Sequence, residues 1–239
     1  MSKQKIIIPL DVDIPDKAVE LVHKLSGEVG AFKVGLELIN IAGPAIFDKI
    51  KSAGADKVFY DCKLHDIPNT VAGASRAIAK RGLWLFNVHC AGGLDMMKAA
   101  KQASVESAEQ AGVEPPKVIG VTILTSIDQC VLNDQMRVPG TVADQVVHFA
   151  KLAKEAGLDG VVASAHEIEK IRQACGDNFM IVTPGVRPAG GDVGDQKRVM
   201  TPGEAVRRGS DYLVIGRPII KAGDPVAAAR AIADEIERV

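Results

Sequence analysis

Short apolar runs recur along the chain at Ile6 to Val12, Ala31 to Leu36, Lys57 to Lys63, Leu83 to His89, Lys117 to Leu124, Gly160 to Ser164, Met180 to Val186 and Tyr212 to Arg217. Each has strand length and is rich in Val, Ile or Phe, which predicts eight β-strands. Between them, apolar residues at three- and four-residue spacing predict helices over Asp16–Leu25, Glu37–Ala53, Asn69–Lys80, Leu94–Gln110, Val142–Glu155, His166–Ala174, Pro202–Arg208 and Pro225–Glu237. Glycines follow Ala53, Arg81, Ala111 and Ala156 as stop signals, and Pro202 and Pro225 stand in first turns.

Strands and helices alternate with no linker and no low-complexity stretch between them. This pattern predicts an α/β protein, a single parallel (β/α)8 TIM-type barrel domain over residues 1–239. Periodicity does not prove closure, and an open doubly wound sheet is compatible with the same pattern. A barrel of this kind carries its chemistry at the C-terminal ends of the strands. Polar residues collect there: Asp11, Lys33, Asp61 with Lys63, Asn87 with His89, Thr122 with Thr125, Ser164, Thr183 with Arg187, and Arg217. The N-terminal halves of the same strands are mostly apolar, a one-sidedness that solubility alone does not explain.

Composition narrows the function classes. With 47% hydrophobic residues, 25% charged residues and a formal net charge of −1, the chain has the make-up of a soluble globular protein with no broad face for nucleic acid. The apolar run near the N-terminus is too short for a signal peptide, and no stretch approaches a membrane span. Cys62, Cys90, Cys130 and Cys175 are scattered without a C-x-x-C pair, which fits free thiols in a reducing cytoplasm and supports neither a zinc site nor a disulfide frame.

The stretch FYDCKLHDIPNT, residues 59–70, sets Asp61, Lys63 and Asp66 directly behind an apolar strand. By strand alternation Asp61 and Lys63 face the same way and Cys62 points into the packing layer. Lys33, on the preceding strand, would join them in a partly desolvated mouth. Opposite charges at such range attract by roughly 4 kcal/mol at an effective dielectric near 20. An ammonium flanked by carboxylates is held in its charged form, so Lys63 reads as a proton donor rather than a Schiff-base nucleophile. A structural ion-pair network without chemistry is the plain alternative.

A second constellation, TPGVRPAGGDVGDQKRVMTP at residues 183–202, is followed by VIGRP at 214–218. Loops after the seventh and eighth strands of such barrels often bind phosphate, and Arg187 and Arg217 carry fork-shaped donors suited to it. The length and glycine content of the first loop are those of a lid.

Taken together, DCKLHDIPNT, Asp11 in PLDV, Lys33 in FKVG, Thr125 in ILTS, PGVRP and IGRPI closely resemble the orotidine 5′-monophosphate decarboxylase family, in its bacterial branch. The resemblance implies a cofactor-independent carboxy-lyase of pyrimidine biosynthesis, cytoplasmic, homodimeric, with no metal and no membrane or nucleic-acid partner. It implies that Lys33, Asp61, Lys63 and Asp66 form the family's charged tetrad, with Lys63 protonating C6 of the pyrimidine. Asp66, with Ile67 and Thr70, would act in the site of a neighbouring subunit. Asp11 and Lys33 would hold the ribose hydroxyls and Thr125 the pyrimidine edge. Arg187, Gln196, Gly216 and Arg217 would take the phosphate side, and Pro184 would also bind substrate.

Two rival readings fit less of the chain. Metal-dependent phosphosugar barrels also carry Asp-x-Lys on the third strand, but they resemble enzymes with an acidic ligand where Lys33 stands here, a poor magnesium site. A barrel kept only for binding predicts loss of Lys63 or the arginines, and all are present. His89 is expected to be packed beneath the site rather than to act as acid or base.

Overall fold

The computed structural model describes residues 2–188 and 200–239. Its strands are β1 (Ile6–Pro9), β2 (Ala31–Val34), β3 (Val58–Leu64), β4 (Leu85–His89), β5 (Lys117–Val121), β6 (Gly160–Val162), β7 (Met180–Pro184) and β8 (Tyr212–Val214). They follow one another in chain order around a closed barrel. The recorded pairings are parallel, with Pro9 in register with Lys33, Lys33 with Phe59, Asn87 with Ile119 and Ile7 with Val214. Parallel strands are covered on both faces and so read as continuous apolar runs. β1, with sequence IIIP, is accordingly buried at every position.

The helices are α1 (Pro15–Leu25), α2 (Leu36–Ala42), α3 (Ile46–Ser52), α4 (Pro68–Ala79), α5 (Gly93–Ala111), α6 (Val142–Glu155), α7 (Ile168–Cys175), α8 (Pro202–Arg207), α9 (Arg217–Ile220) and α10 (Pro225–Glu237). Side chains cap the starts of α6, α8 and α10. The Thr141 hydroxyl accepts from the Asp144 amide at 3.1 Å, and the Asp224 carboxylate accepts from Val226 and Ala227 at 3.0 Å each. No helix among the described residues is long and apolar enough to cross a membrane.

The chain divides into two compact units, residues 1–62 with 183–239, and residues 63–182. In the first, α1 packs on α3 and α10, and Arg230 of α10 forks onto the Glu28 carboxylate at 3.0 and 2.6 Å. That pair holds the Glu28 carboxyl below its usual range. In the second, α4 packs on α5, and Lys101 of α5 meets Asp159 at 2.6 Å. The same Asp159 oxygen accepts the Val118 amide at 2.7 Å, tying α5 to the start of β5.

Three expectations are corrected. The helix expected over residues 37–53 is two helices, because Gly43 takes φ 65° and Pro44, which has no amide hydrogen, follows it. The strands stop earlier than their apolar runs: Asp11 follows β1, Thr125 follows β5, and Arg217 opens α9 instead of ending β8. Strict alternation also fails at Lys63, whose φ is 50°. Cys62 is buried as expected, as are Cys90 and Cys175, while Cys130 is exposed.

Candidate active site

In the first unit the site is built around Lys33. Its register partners are Pro9 on β1 and Phe59 on β3. Asp11 and Asp61 each lie two residues beyond those partners, toward the C-terminal ends, an offset the lysine stem spans. Lys33 Nζ stands 3.1 Å from Asp11 Oδ1 and 3.2 Å from Asp61 Oδ2. The Lys33 and Asp61 side chains are only 10% and 14% exposed, whereas Asp11 is 53% exposed. Water therefore screens the Asp61 contact much less than the Asp11 contact.

Gly35, which precedes α2, provides the space for this triad. A Cβ there would stand 2.9 Å from Lys33 Nζ and 3.3 Å from Asp11 Oδ1. The sequence reading noted FKVG as a motif without seeing this role, which depends on a contact between strands.

The same unit carries Pro184, expected to bind substrate, and three residues of the expected phosphate side. Pro184 ends β7 and is half-buried. Arg187 is 8% exposed, with Nη1 donating to the Val186 carbonyl at 3.1 Å. Its backbone amide donates to the Met200 carbonyl at 3.1 Å. Gly216 passes close to Pro9, where a Cβ would come within 2.8 Å of the ring. Arg217 is exposed at the start of α9. Gln196 and the glycine-rich part of the loop lie outside the described residues.

In the second unit, Lys63 is half-buried and left-handed in φ, a conformation that costs roughly 1–2 kcal/mol for a residue with a side chain. Its amide donates to Asn87 Oδ1 at 2.8 Å. Asn87 is 1% exposed in a strand whose neighbours Leu85, Phe86 and Val88 are fully buried. A polar amide in such a strand signals a hydrogen-bonding task, a signal legible in LFNVH. The His65 and His89 rings lie 5.5 Å apart.

Asp66, Ile67, Thr70 and Thr125 are all exposed, Ile67 at 65%. The Asp66 carboxylate accepts the Ile67 amide at 2.6 Å, just before Pro68 opens α4. Among the described residues, no group of three or more His, Cys, Asp and Glu is arranged to hold a metal ion.

A Lys33 ammonium between two strand-end carboxylates, on a closed parallel barrel, is accompanied by a family match. The model of the orotidine 5′-phosphate decarboxylase / HUMPS family matches residues 4–232. The chain belongs to this family. It is similar to the orotidine 5′-phosphate decarboxylase of Moorella thermoacetica, 56% identical over all of this chain and 94% of that protein. It is also similar to the one from Nostoc sp., 48% identical over the full length of both. Among solved structures, orotidine 5′-phosphate decarboxylase from Lactobacillus acidophilus superposes with a TM-score of 0.85 at 40% identity, covering 97% of this chain and 98% of that one. The family's Pyrococcus horikoshii structure superposes with a TM-score of 0.77 at 26% identity, covering 98% of this chain and 100% of that one.

Proposed function

We propose that this member of the family removes carbon dioxide from orotidine 5′-monophosphate to give uridine 5′-monophosphate in pyrimidine biosynthesis. The chain is a carboxy-lyase by family, and full-length identity of 56% to a named decarboxylase supports the substrate. The observation that carries the chemistry is the Lys33 ammonium held by the carboxylates of Asp11 and Asp61.

In this reading the bond between C6 and the substrate carboxylate breaks, carbon dioxide leaves, and the electron pair stays at C6. The Lys63 ammonium stabilises that charge as it develops and gives C6 its proton, then regains one from solvent. Asp61 stands beside the departing carboxylate. Lys33 fixes Asp61 and, with Asp11, takes the ribose hydroxyls, while Thr125 takes the pyrimidine edge. Arg187, Gln196, Gly216 and Arg217 hold the phosphate, whose binding energy is expressed at the distant reacting carbon, and Pro184 also contacts substrate. No step uses a metal or cofactor.

Asp66, Ile67 and Thr70 complete the site of a second copy in a homodimer. Their exposure, including a 65% exposed isoleucine, supports this part of the reading. The two compact units belong to one barrel domain over residues 1–239, which the closed strand order supports.

The test is the fall in ultraviolet absorbance as purified protein converts orotidine 5′-monophosphate to uridine 5′-monophosphate with a chelator present. Rapid turnover is expected. Absence of turnover by folded protein overturns the reading and makes phosphosugars the next substrates to try.

A further inference from the structure

β3 ends in an unusual backbone. Lys63 is a long-chain residue with φ of 50°, and among the described residues Arg137 is the only other non-glycine residue with positive φ. A residue with a Cβ persists in that region only where its surroundings hold it there. The Lys63 amide donates at 2.8 Å to Asn87 Oδ1, a side-chain oxygen on β4. Asn87 is itself fixed: it is 1% exposed and lies between the fully buried Phe86 and Val88. A carboxamide so enclosed neither gives up nor takes a proton near neutral pH, so its contribution is hydrogen bonding.

We infer that Asn87 is a positioning residue: by accepting the Lys63 amide it holds the left-handed turn at the end of β3 and thereby sets the direction in which the Lys63 ammonium is presented. This inference rests on the reading of Lys63 as the proton donor. A donor aimed at a developing charge acts only within a narrow geometry, and displacement by about 1 Å is enough to cost on the order of 100-fold in rate. The substrate's ribose and phosphate are held by other residues, so the loss falls on the chemical step and not on binding.

The experiment compares Asn87→Leu, which keeps the branched outline and removes the acceptor, with Asn87→Asp, which keeps an oxygen at that place, and with Lys63→Ala. Steady-state decarboxylation is normalised to folded protein by circular dichroism. Asn87→Leu is expected to lower kcat by about 10- to 100-fold with KM within about threefold, and Asn87→Asp to recover most of kcat. In the Lys63→Ala background, Asn87→Leu should remove nothing further, since a residue acting through Lys63 has nothing left to position.

A purely structural role predicts a lower unfolding midpoint with kcat per folded molecule unchanged. Asn87→Leu with kcat within about twofold of wild type, while Lys63→Ala is inactive, overturns the positioning role and leaves the Lys63 reading standing. Near-normal turnover by Lys63→Ala overturns both. Should Asn87→Leu fail to fold, Asn87→Ala removes the same acceptor without adding bulk and carries the same comparison.

Discussion

Asp11 and Asp61 stand symmetrically about Lys33, each two residues beyond one of its register partners, and they receive its ammonium at 3.1 and 3.2 Å. Parallel pairing at Lys33 thus delivers two carboxylates from two strands to one cation. Lys33→Met removes the ammonium that stands 3.2 Å from Asp61, on a side chain 14% exposed. Decarboxylation is expected to fall by at least about 100-fold and the unfolding midpoint in urea to drop. Turnover assays and urea unfolding check the two effects separately.

Gly35 tests how finely that cation is placed. A methyl group there would stand 2.9 Å from Lys33 Nζ, the free end of a flexible side chain, so the side chain shifts while the backbone need not. Gly35→Ala should therefore lower kcat/KM by about tenfold with little change in the thermal midpoint. An unchanged kcat/KM would mean that the ammonium position tolerates displacement.

A shared site has a sharper test than a sizing column. Lys63→Ala and Asp66→Asn are each expected to be inactive alone. Mixed in equal amounts with subunit exchange, half of the dimers are hybrids, and one of the two sites in each hybrid holds both native residues. Activity should return to about a quarter of the wild-type level. Proven exchange with no recovery would count against Asp66 crossing to a partner.

Glu167, which precedes α7, links pH to stability away from the site. Burial raises its carboxyl above the usual range despite the Ser164 hydrogen bond, and its Oε2 is enclosed without a hydrogen-bond partner. The folded state therefore holds a proton that the unfolded chain releases. Stability falls as pH rises from the unfolded value through the raised folded one. Glu167→Gln cannot ionise, so the drop in unfolding midpoint between about pH 5 and about pH 8 should be smaller than in wild type. An equal drop in both would assign the pH dependence to other groups.

The alternation of strands and helices is written in the residue pattern, because buried parallel strands must be apolar throughout and their covering helices amphipathic. The same pattern determined which charged types gather at strand ends, since Asp11, Lys33, Asp61 and Lys63 interrupt otherwise apolar runs. Breaks in local geometry were harder to read. Gly43-Pro44 splits a continuous helical pattern, and the apolar runs continue past the points where the strand ladders stop.

Which carboxylates meet Lys33 emerges with the folded barrel, because it depends on register between strands distant in sequence. The same reason kept Gly35 from view as part of the site, and it left Asn87, marked in the sequence as a strand-end polar residue, without an assigned role. Gly35 matters through the Lys33 side chain, which reaches from β2 to Asp11 and Asp61, and Asn87 through the amide of a residue 24 positions earlier. The left-handed φ of Lys63 follows no local propensity, and a long-range contact to Asn87 accompanies it.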